Sequence, residues 1–174
     1  MEILRTISFY TEGKNLPFLV IGGHAVNSYG IMRQTADLDL LVCRDSKDAW
    51  HALMGKLNYQ VGQNDARFAR YRAASLANWP IDLMFVDAET FAKMYAASKE
   101  VEYGEARART VSARHLATLK IHALKNYQPH RYSKDLSDLD SLLQSGQTGI
   151  TDEQLKALCE RYASLDLYYK IKKN

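Results

Sequence analysis

The run Asp37-Leu38-Asp39-Leu40-Leu41-Val42 constrains this chain more than any other segment. It is apolar enough for a central strand, yet it begins with a strict polar–apolar alternation. Successive side chains of a strand point to opposite faces, so Leu38 and Leu40 turn toward a core while Asp37 and Asp39 share the other face. Two carboxylates held side by side repel unless something positive sits between them, and a divalent cation does this best. Asp82 repeats the theme inside a second apolar run, Ile81 to Val86, flanked by the inward-facing Ile81 and Leu83. Three carboxylates from two strands form an all-oxygen donor set suited to one or two Mg2+ ions. The plain alternative makes Asp37 a turn residue and Asp39 a solvated one, and the segment alone leaves both readings open.

Composition narrows the class without naming a partner. The 174 residues, 47% hydrophobic and 25% charged, bury a real core and exclude disorder and fibres. The formal charge of +3 is too small to mark a dedicated nucleic-acid or membrane-surface protein. Cys43 and Cys159 form no CxxC pair, and the first residues lack a signal-peptide pattern, so a reducing cytoplasmic setting is expected. No apolar run approaches the roughly 20 residues that a membrane span needs, and no membrane partner is expected.

Periodicity places a helix over residues 2 to 12, ended by Gly13 and Asn15 before Pro17, then a buried strand Phe18 to Ile21 closed by Gly22-Gly23. A short helix over His24 to Tyr29 stops at Gly30. Ser46 is the expected N-cap of a helix with the stripe Ala49, Trp50, Leu53, Met54 and Leu57. Strands Phe68 to Ala73, with Arg70 and Arg72 on one face, and Ile81 to Val86 follow. Beyond residue 110 the periods are helical, over Ser112 to Lys125, Lys134 to Gln144 and Asp152 to Ala163. The expected fold class is α/β (α+β): a mixed sheet flanked by helices over residues 1–110, with a C-terminal helical region, 111–174, packed on it as a single compact unit.

Several residues carry two readings each. Gly22-Gly23 either opens backbone N–H groups to a phosphate or makes a tight turn. Lys120 interrupts the apolar stripe of Ala113, Leu116, Ala117 and Leu124; it either snorkels to water or presents a point charge to a phosphate. With Ser133 as N-cap, Asp135 falls in a first turn that favours any carboxylate, or else it orients Lys120. Lys134 and Asp138 are spaced as an i, i+4 pair. His24 is a phosphate contact or a packing residue, and Arg33 lines a triphosphate with Thr35 or is a solvated loop charge. Tyr168 to Lys173 mixes rings with cations, and Arg70, Arg72, Arg107 and Arg109 suggest a basic face for RNA; a solvated, fraying terminus is the commoner explanation of such a tail. There is no HExxH, Cys/His cluster, P-loop or GxSxG, which sets aside zinc, P-loop and common hydrolase chemistry.

Taken together, Gly22-Gly23, thirteen intervening residues, Asp37-Leu38-Asp39 and the later Asp82 resemble the DNA polymerase beta-like nucleotidyltransferase superfamily. Within it, Gly22 to Val26 and Arg33 to Asp39 look most like the AbiEii-like branch of abortive-infection and toxin–antitoxin enzymes. That branch also carries a lysine on a downstream helix and an Arg-Asp-x-x-Asp-Leu-like stretch, matched here by Lys120 and by Lys134-Asp135-Leu136-Ser137-Asp138-Leu139. The matches run from about Phe18 to Leu143. The chain departs where Lys134 replaces the usual Arg, where His24 replaces a small residue, and in being shorter than many of these toxins.

The resemblance implies a nucleotidyltransferase fold and a Mg2+-dependent enzyme, with two ions and Mn2+ as a substitute, that transfers NMP from an NTP to an acceptor hydroxyl and releases pyrophosphate. Asp37, Asp39 and Asp82 would be the metal-binding and catalytic residues, with Asp82 taking the hydroxyl proton. Gly22, Gly23, His24, Arg33, Thr35, Lys120 and Asp135 would be nucleotide-binding. The implied acceptor is RNA, such as a tRNA end, or protein, with a cognate antitoxin as partner. Two other readings stay open: a small-molecule nucleotidyltransferase of the lincosamide or aminoglycoside resistance kind, and a catalytically idle nucleotide-binding module.

Overall fold

The computed structural model describes residues 2–74, 79–125 and 129–173. The chain divides into two compact units, one of residues 1–28 and 33–111, the other of residues 29–32 and 112–174. The first unit is built on a seven-stranded sheet: β1 (Phe18–Val20), β2 (Leu38–Cys43), β3 (Tyr59–Asn64), β4 (Phe68–Ala73), β5 (Ile81–Val86), β6 (Lys99–Tyr103) and β7 (Ala106–Thr110), in the order β3-β4-β5-β2-β1-β7-β6. The pairs β2–β5 and β1–β7 are parallel and the others antiparallel, giving a mixed sheet. The helices of this unit are α1 (Glu2–Thr11), α2 (Gly22–Asn27), α3 (Lys47–Lys56) and α4 (Ala88–Ala96).

Alternation decides which face is core. Leu38, Leu40 and Val42 of β2 and Ile81, Leu83 and Phe85 of β5 are buried in one cluster with Leu4 and Ile7 of α1 and Trp50, Leu53 and Met54 of α3. Asp39 and Asp82, one residue out of phase, therefore emerge on the opposite face.

Local chemistry explains where the expected elements shift. The second helix begins at Gly22, not His24. Ser46 stands at the N-cap position of α3 but makes no side-chain cap bond to it: its Oγ donates to Cys43 O (2.8 Å) inside a 3-10 turn over Arg44–Ser46. Ala49, expected on the buried stripe, is exposed. Strand β3 escaped notice because only its first residue, Tyr59, is buried. Strand β6 is an edge strand whose Lys99-Glu100-Val101-Glu102 reads as charged surface, and α4 is opened by Asp87, whose side chain accepts from Thr90 N (2.8 Å).

The second unit holds α5 (Ala113–Ala123), α6 (Pro129–Gln144), α7 (Asp152–Tyr162) and α8 (Leu165–Ile171). Ser112 caps α5, Thr151 and Gln154 form a capping box on α7, and Ser164 caps α8. Because α6 starts at Pro129, Ser133 is not its N-cap and Asp135 is not in its first turn. The helix dipole thus gives no account of Asp135. The tail does not fray either: Leu167 and Ile171 are buried, Tyr168 Oη donates to Asp152 Oδ2 (2.8 Å), and Lys172 pairs with Asp152 (2.9 Å).

A buried ion cluster ties α5 to α6. Lys120 Nζ donates to Asp135 Oδ1 (2.7 Å) and Asp138 Oδ2 (2.6 Å), and all three residues are buried. Asp138 thus joins Asp135 in holding Lys120. Removing the ammonium leaves two desolvated carboxylates facing each other, so Lys120→Met is expected to lower unfolding stability by about 3–5 kcal/mol in a urea melt.

Candidate active site

The site begins with strand register. In β2 and β5 Asp39 stands level with Asp82, and in the β4–β5 pair Arg70 stands level with Asp82. Residues paired across neighbouring strands project to the same face, so Arg70, Asp82 and Asp39 form one row across three strands. Asp37, just ahead of β2, completes the acidic group: one oxygen from each of Asp37, Asp39 and Asp82 lies within 4.8 Å of the others. Among the described residues no other group of three His, Cys, Asp or Glu side chains gathers so closely. Oxygen-only donors at this separation fit a hard dication such as Mg2+, with Asp37, Asp39 and Asp82 as its holders.

The double glycine is required by this row. Gly22 has φ of +62°, and a β-carbon there would lie 1.8 Å from Asp39 Oδ2. At Gly23 a β-carbon would lie 1.8 Å from Arg33 Nη1 and 2.7 Å from the Thr35 side chain. The backbone at the end of β1 is further bound to β2 by Ile21 N donating to Asp39 O (3.0 Å). Gly22, Gly23, Arg33, Thr35 and Asp39 are therefore neighbours. Thr35 Oγ1 donates to Asp37 Oδ1 (2.9 Å) and so orients that carboxylate. Asn27 grips the backbone of Arg33 from both sides, Nδ2 donating to Arg33 O (3.0 Å) and Oδ1 accepting from Arg33 N (2.9 Å).

Arg70 is the residue that sequence reasoning misplaced. It does not contribute to an open basic face: Nε donates to Asp82 Oδ1 (2.8 Å) and Nη2 to Asp82 Oδ2 (2.5 Å). The Asp82 side chain is 4% exposed, so this fork is its polar anchor. The bond to Asp82, reinforced by the charges of Asp37 and Asp39, holds the Arg70 pKa above its ordinary value. Arg107 and Arg109 are likewise engaged, with Glu102 and with Ser98. Only knowledge of strand pairing reveals Arg70; the sequence signal was its place on the alternating face of Phe68 to Ala73.

His24 is 7% exposed and stacks on Trp79, with ring centroids 4.9 Å apart and planes 16° from parallel. Its Nε2 is buried with no hydrogen-bond partner among the described residues. Burial pushes the His24 pKa below 6.5; Asp37 pulls it up and Arg33 pushes it down. Packing explains most of this residue. In the second unit, Lys120 and Asp135 engage each other in the cluster described above.

No family model matches the chain, and no curated protein sequence matches it. Solved structures do match. The antibiotic-resistance factor ANT(2'')-Ia superimposes with a TM-score of 0.67 at 16% identity, over 97% of this chain and 96% of that one. An antigenic nucleotidyltransferase-like protein from Paracoccidioides brasiliensis gives 0.61 at 15% identity, over 98% and 91% of the two chains. The lincosamide antibiotic adenylyltransferase LnuA gives 0.58 at 12% identity, over 81% and 96%. The fold is the nucleotidyltransferase fold. Within that nucleotidyltransferase fold the acids, the glycines and Arg70 take the positions just described. No helix among the described residues is long and apolar enough to cross a membrane.

Two outcomes test this geometry. Gly22 and Gly30 both have positive φ, yet a β-carbon at Gly30 meets nothing within 4 Å. Gly30→Ala should cost only backbone strain, about 1–3 kcal/mol in a thermal melt, whereas Gly22→Ala should also abolish Mn2+ binding by displacing Asp39. For His24 the folded pKa is depressed, so the unfolded chain takes up its proton first as pH falls below 6.5. Stability should therefore decline as pH falls through that window, and His24→Gln should flatten this part of the stability–pH curve.

Proposed function

We propose that this chain is a divalent-cation-dependent nucleotidyltransferase that moves an NMP from an NTP to an acceptor hydroxyl, with release of pyrophosphate. The observation that carries the reading is the row of Asp39 and Asp82 beside Asp37, with the Gly22-Gly23 backbone pressed against it. When bound at these acids, Mg2+ supplies charge stabilisation at the phosphates and acidifies a hydroxyl. The chain's own groups do the rest. Gly22 and Gly23, whose missing side chains let Asp39, Arg33 and Thr35 come close to the backbone, would lie beside the polyphosphate, and Arg33, set against Gly23, would offer positive charge to it. Thr35 keeps Asp37 in place, Arg70 fixes the plane of the Asp82 carboxylate, and Asp82 accepts the proton of the attacking hydroxyl. Lys120, committed to two buried carboxylates, is assigned to holding α5 against α6 and not to the triphosphate.

For the acceptor, RNA in a toxin–antitoxin setting is the leading reading. Its support is the gathering of Lys120, Asp135 and Asp138, the residues of the AbiEii-like resemblance, into one cluster. A small-molecule acceptor is the second, supported by the fold likeness to ANT(2'')-Ia over 97% of this chain and to LnuA over 81% of it. Arg70 beside Asp82 disfavours a polycationic acceptor, since a guanidinium already stands at the third acid. A lincosamide-like acceptor meets no such objection.

The test is incubation with each α-labelled NTP and Mg2+, in separate arms with total RNA, lysate protein, a lincosamide and an aminoglycoside. Transfer to RNA selects the leading reading, and transfer to one of the others replaces it. In whichever arm labels, Asp39→Ala should reduce transfer by about 100-fold or more, the scale of losing one preorganised electrostatic partner. Undiminished transfer would show that Asp39 has no such role.

A further inference from the structure

Trp79 is an exposed tryptophan on a rigid support. Its indole lies face to face with His24, and His24 in turn meets Tyr103 in a T-shaped contact, with centroids 6.5 Å apart and planes at 89°. A hydrogen bond between Tyr103 Oη and Thr110 Oγ1 fixes that ring, and Thr110 is fully buried. His24 Nε2 has no hydrogen-bond partner among the described residues, so at that nitrogen the stack alone holds the imidazole. The backbone beside the indole is pinned as well. Tyr59 Oη donates to Trp79 O (3.0 Å), Leu38 N donates to Pro80 O (2.9 Å), and the proline ring biases Trp79 toward extended backbone. Yet 36% of Trp79 still meets solvent. A lone exposed apolar side chain is ordinary, but one held at both ring and main chain has already lost the freedom that a ligand contact would otherwise cost.

The stack also stands at the site. Trp79 precedes Asp82 by three residues, and His24 directly follows Gly22-Gly23. The charges of Asp37 and Arg33 both act on the His24 ring. We propose that Trp79 is the platform on which a nucleobase of the substrate stacks, with His24 as its backing. The inference rests on the reading of this chain as a nucleotidyltransferase, and it names the contact that holds a base and not the phosphates. Every nucleobase has a π-face, so an indole accepts any of them. A base of the incoming NTP and a base of an RNA acceptor share this chemistry. If Trp79 merely covers His24, any large apolar side chain serves as well, and nucleotides leave the indole untouched.

The experiment follows tryptophan emission of the whole chain, corrected for ligand absorption, during titration with each NTP and Mg2+, and separately with a short single-stranded RNA. Trp50, the other tryptophan, is fully buried, so quenching by a ligand reports on Trp79. Saturable quenching by an NTP but not by tripolyphosphate assigns the platform to the NTP base. Quenching by the RNA but not by an abasic oligonucleotide assigns it to the acceptor base. Trp79→Leu keeps an apolar cover over His24 and removes the ring; by calorimetry it should bind the quenching ligand about tenfold more weakly, and Trp79→Phe should lose less. Unchanged affinity of a Trp79→Leu variant that melts as a folded protein overturns the proposal, as does nucleotide binding that leaves the emission unmoved, or no binding of any probe. Should Trp79→Leu not fold, the wild-type quenching decides. Quenching without NMP transfer to any acceptor sinks the transfer reading and leaves the platform standing, and transfer without quenching does the reverse.

Discussion

Parallel pairing of β2 with β5 is the constraint on which the site depends. It sets Asp39 level with Asp82, and the antiparallel β4–β5 pair then sets Arg70 level with both. Slipping β2 or β5 by one residue would turn that strand's acid into the core and its apolar residues, Leu38 and Leu40 or Ile81 and Leu83, out of it. The burial of those four side chains, each fully excluded from solvent, is what makes such a slip costly. Hydrophobic burial on one face thus enforces electrostatic crowding on the other. The crowding is relieved by what lies on the acid face: Arg70 beside Asp82 and the Thr35 hydroxyl on Asp37.

The glycines belong to the same constraint. In a strand-to-helix turn a double glycine reads naturally as a turn device or as a phosphate cradle. Here its first role is steric, since any side chain at Gly22 would occupy the space of the Asp39 carboxylate.

Much of this was legible in the sequence because the signals were periodic. The alternation of β2 and the apolar run of β5 identified the strands that carry the acids and the inward-facing apolar residues, and Asp37, Asp39 and Asp82 do converge. What was illegible depended on partners distant in sequence. Arg70 looked like surface charge because its significance comes from β4 pairing with β5, and nothing in Phe68 to Ala73 states that pairing. Strand β3 was missed because an exposed strand lacks a hydrophobic period. Of the two readings of Asp135, the first-turn one fails because α6 starts at Pro129 and not after Ser133, while its contact with Lys120 on another helix is present. The terminal tyrosines and lysines resembled a loose tail, yet Leu167 and Ile171 anchor them as a helix.

The central claim, that the three acids are the cation site of a nucleotidyl-transfer centre, is tested most directly by a crystal structure with Mn2+ and a non-hydrolysable NTP. Anomalous scattering locates the metal without reference to activity. The account predicts a peak bonded to oxygens of Asp37, Asp39 and Asp82, with the polyphosphate beside Gly22 and Gly23. A nucleotide bound elsewhere, or Mn2+ held by other residues while these three carboxylates stay unligated, would contradict it.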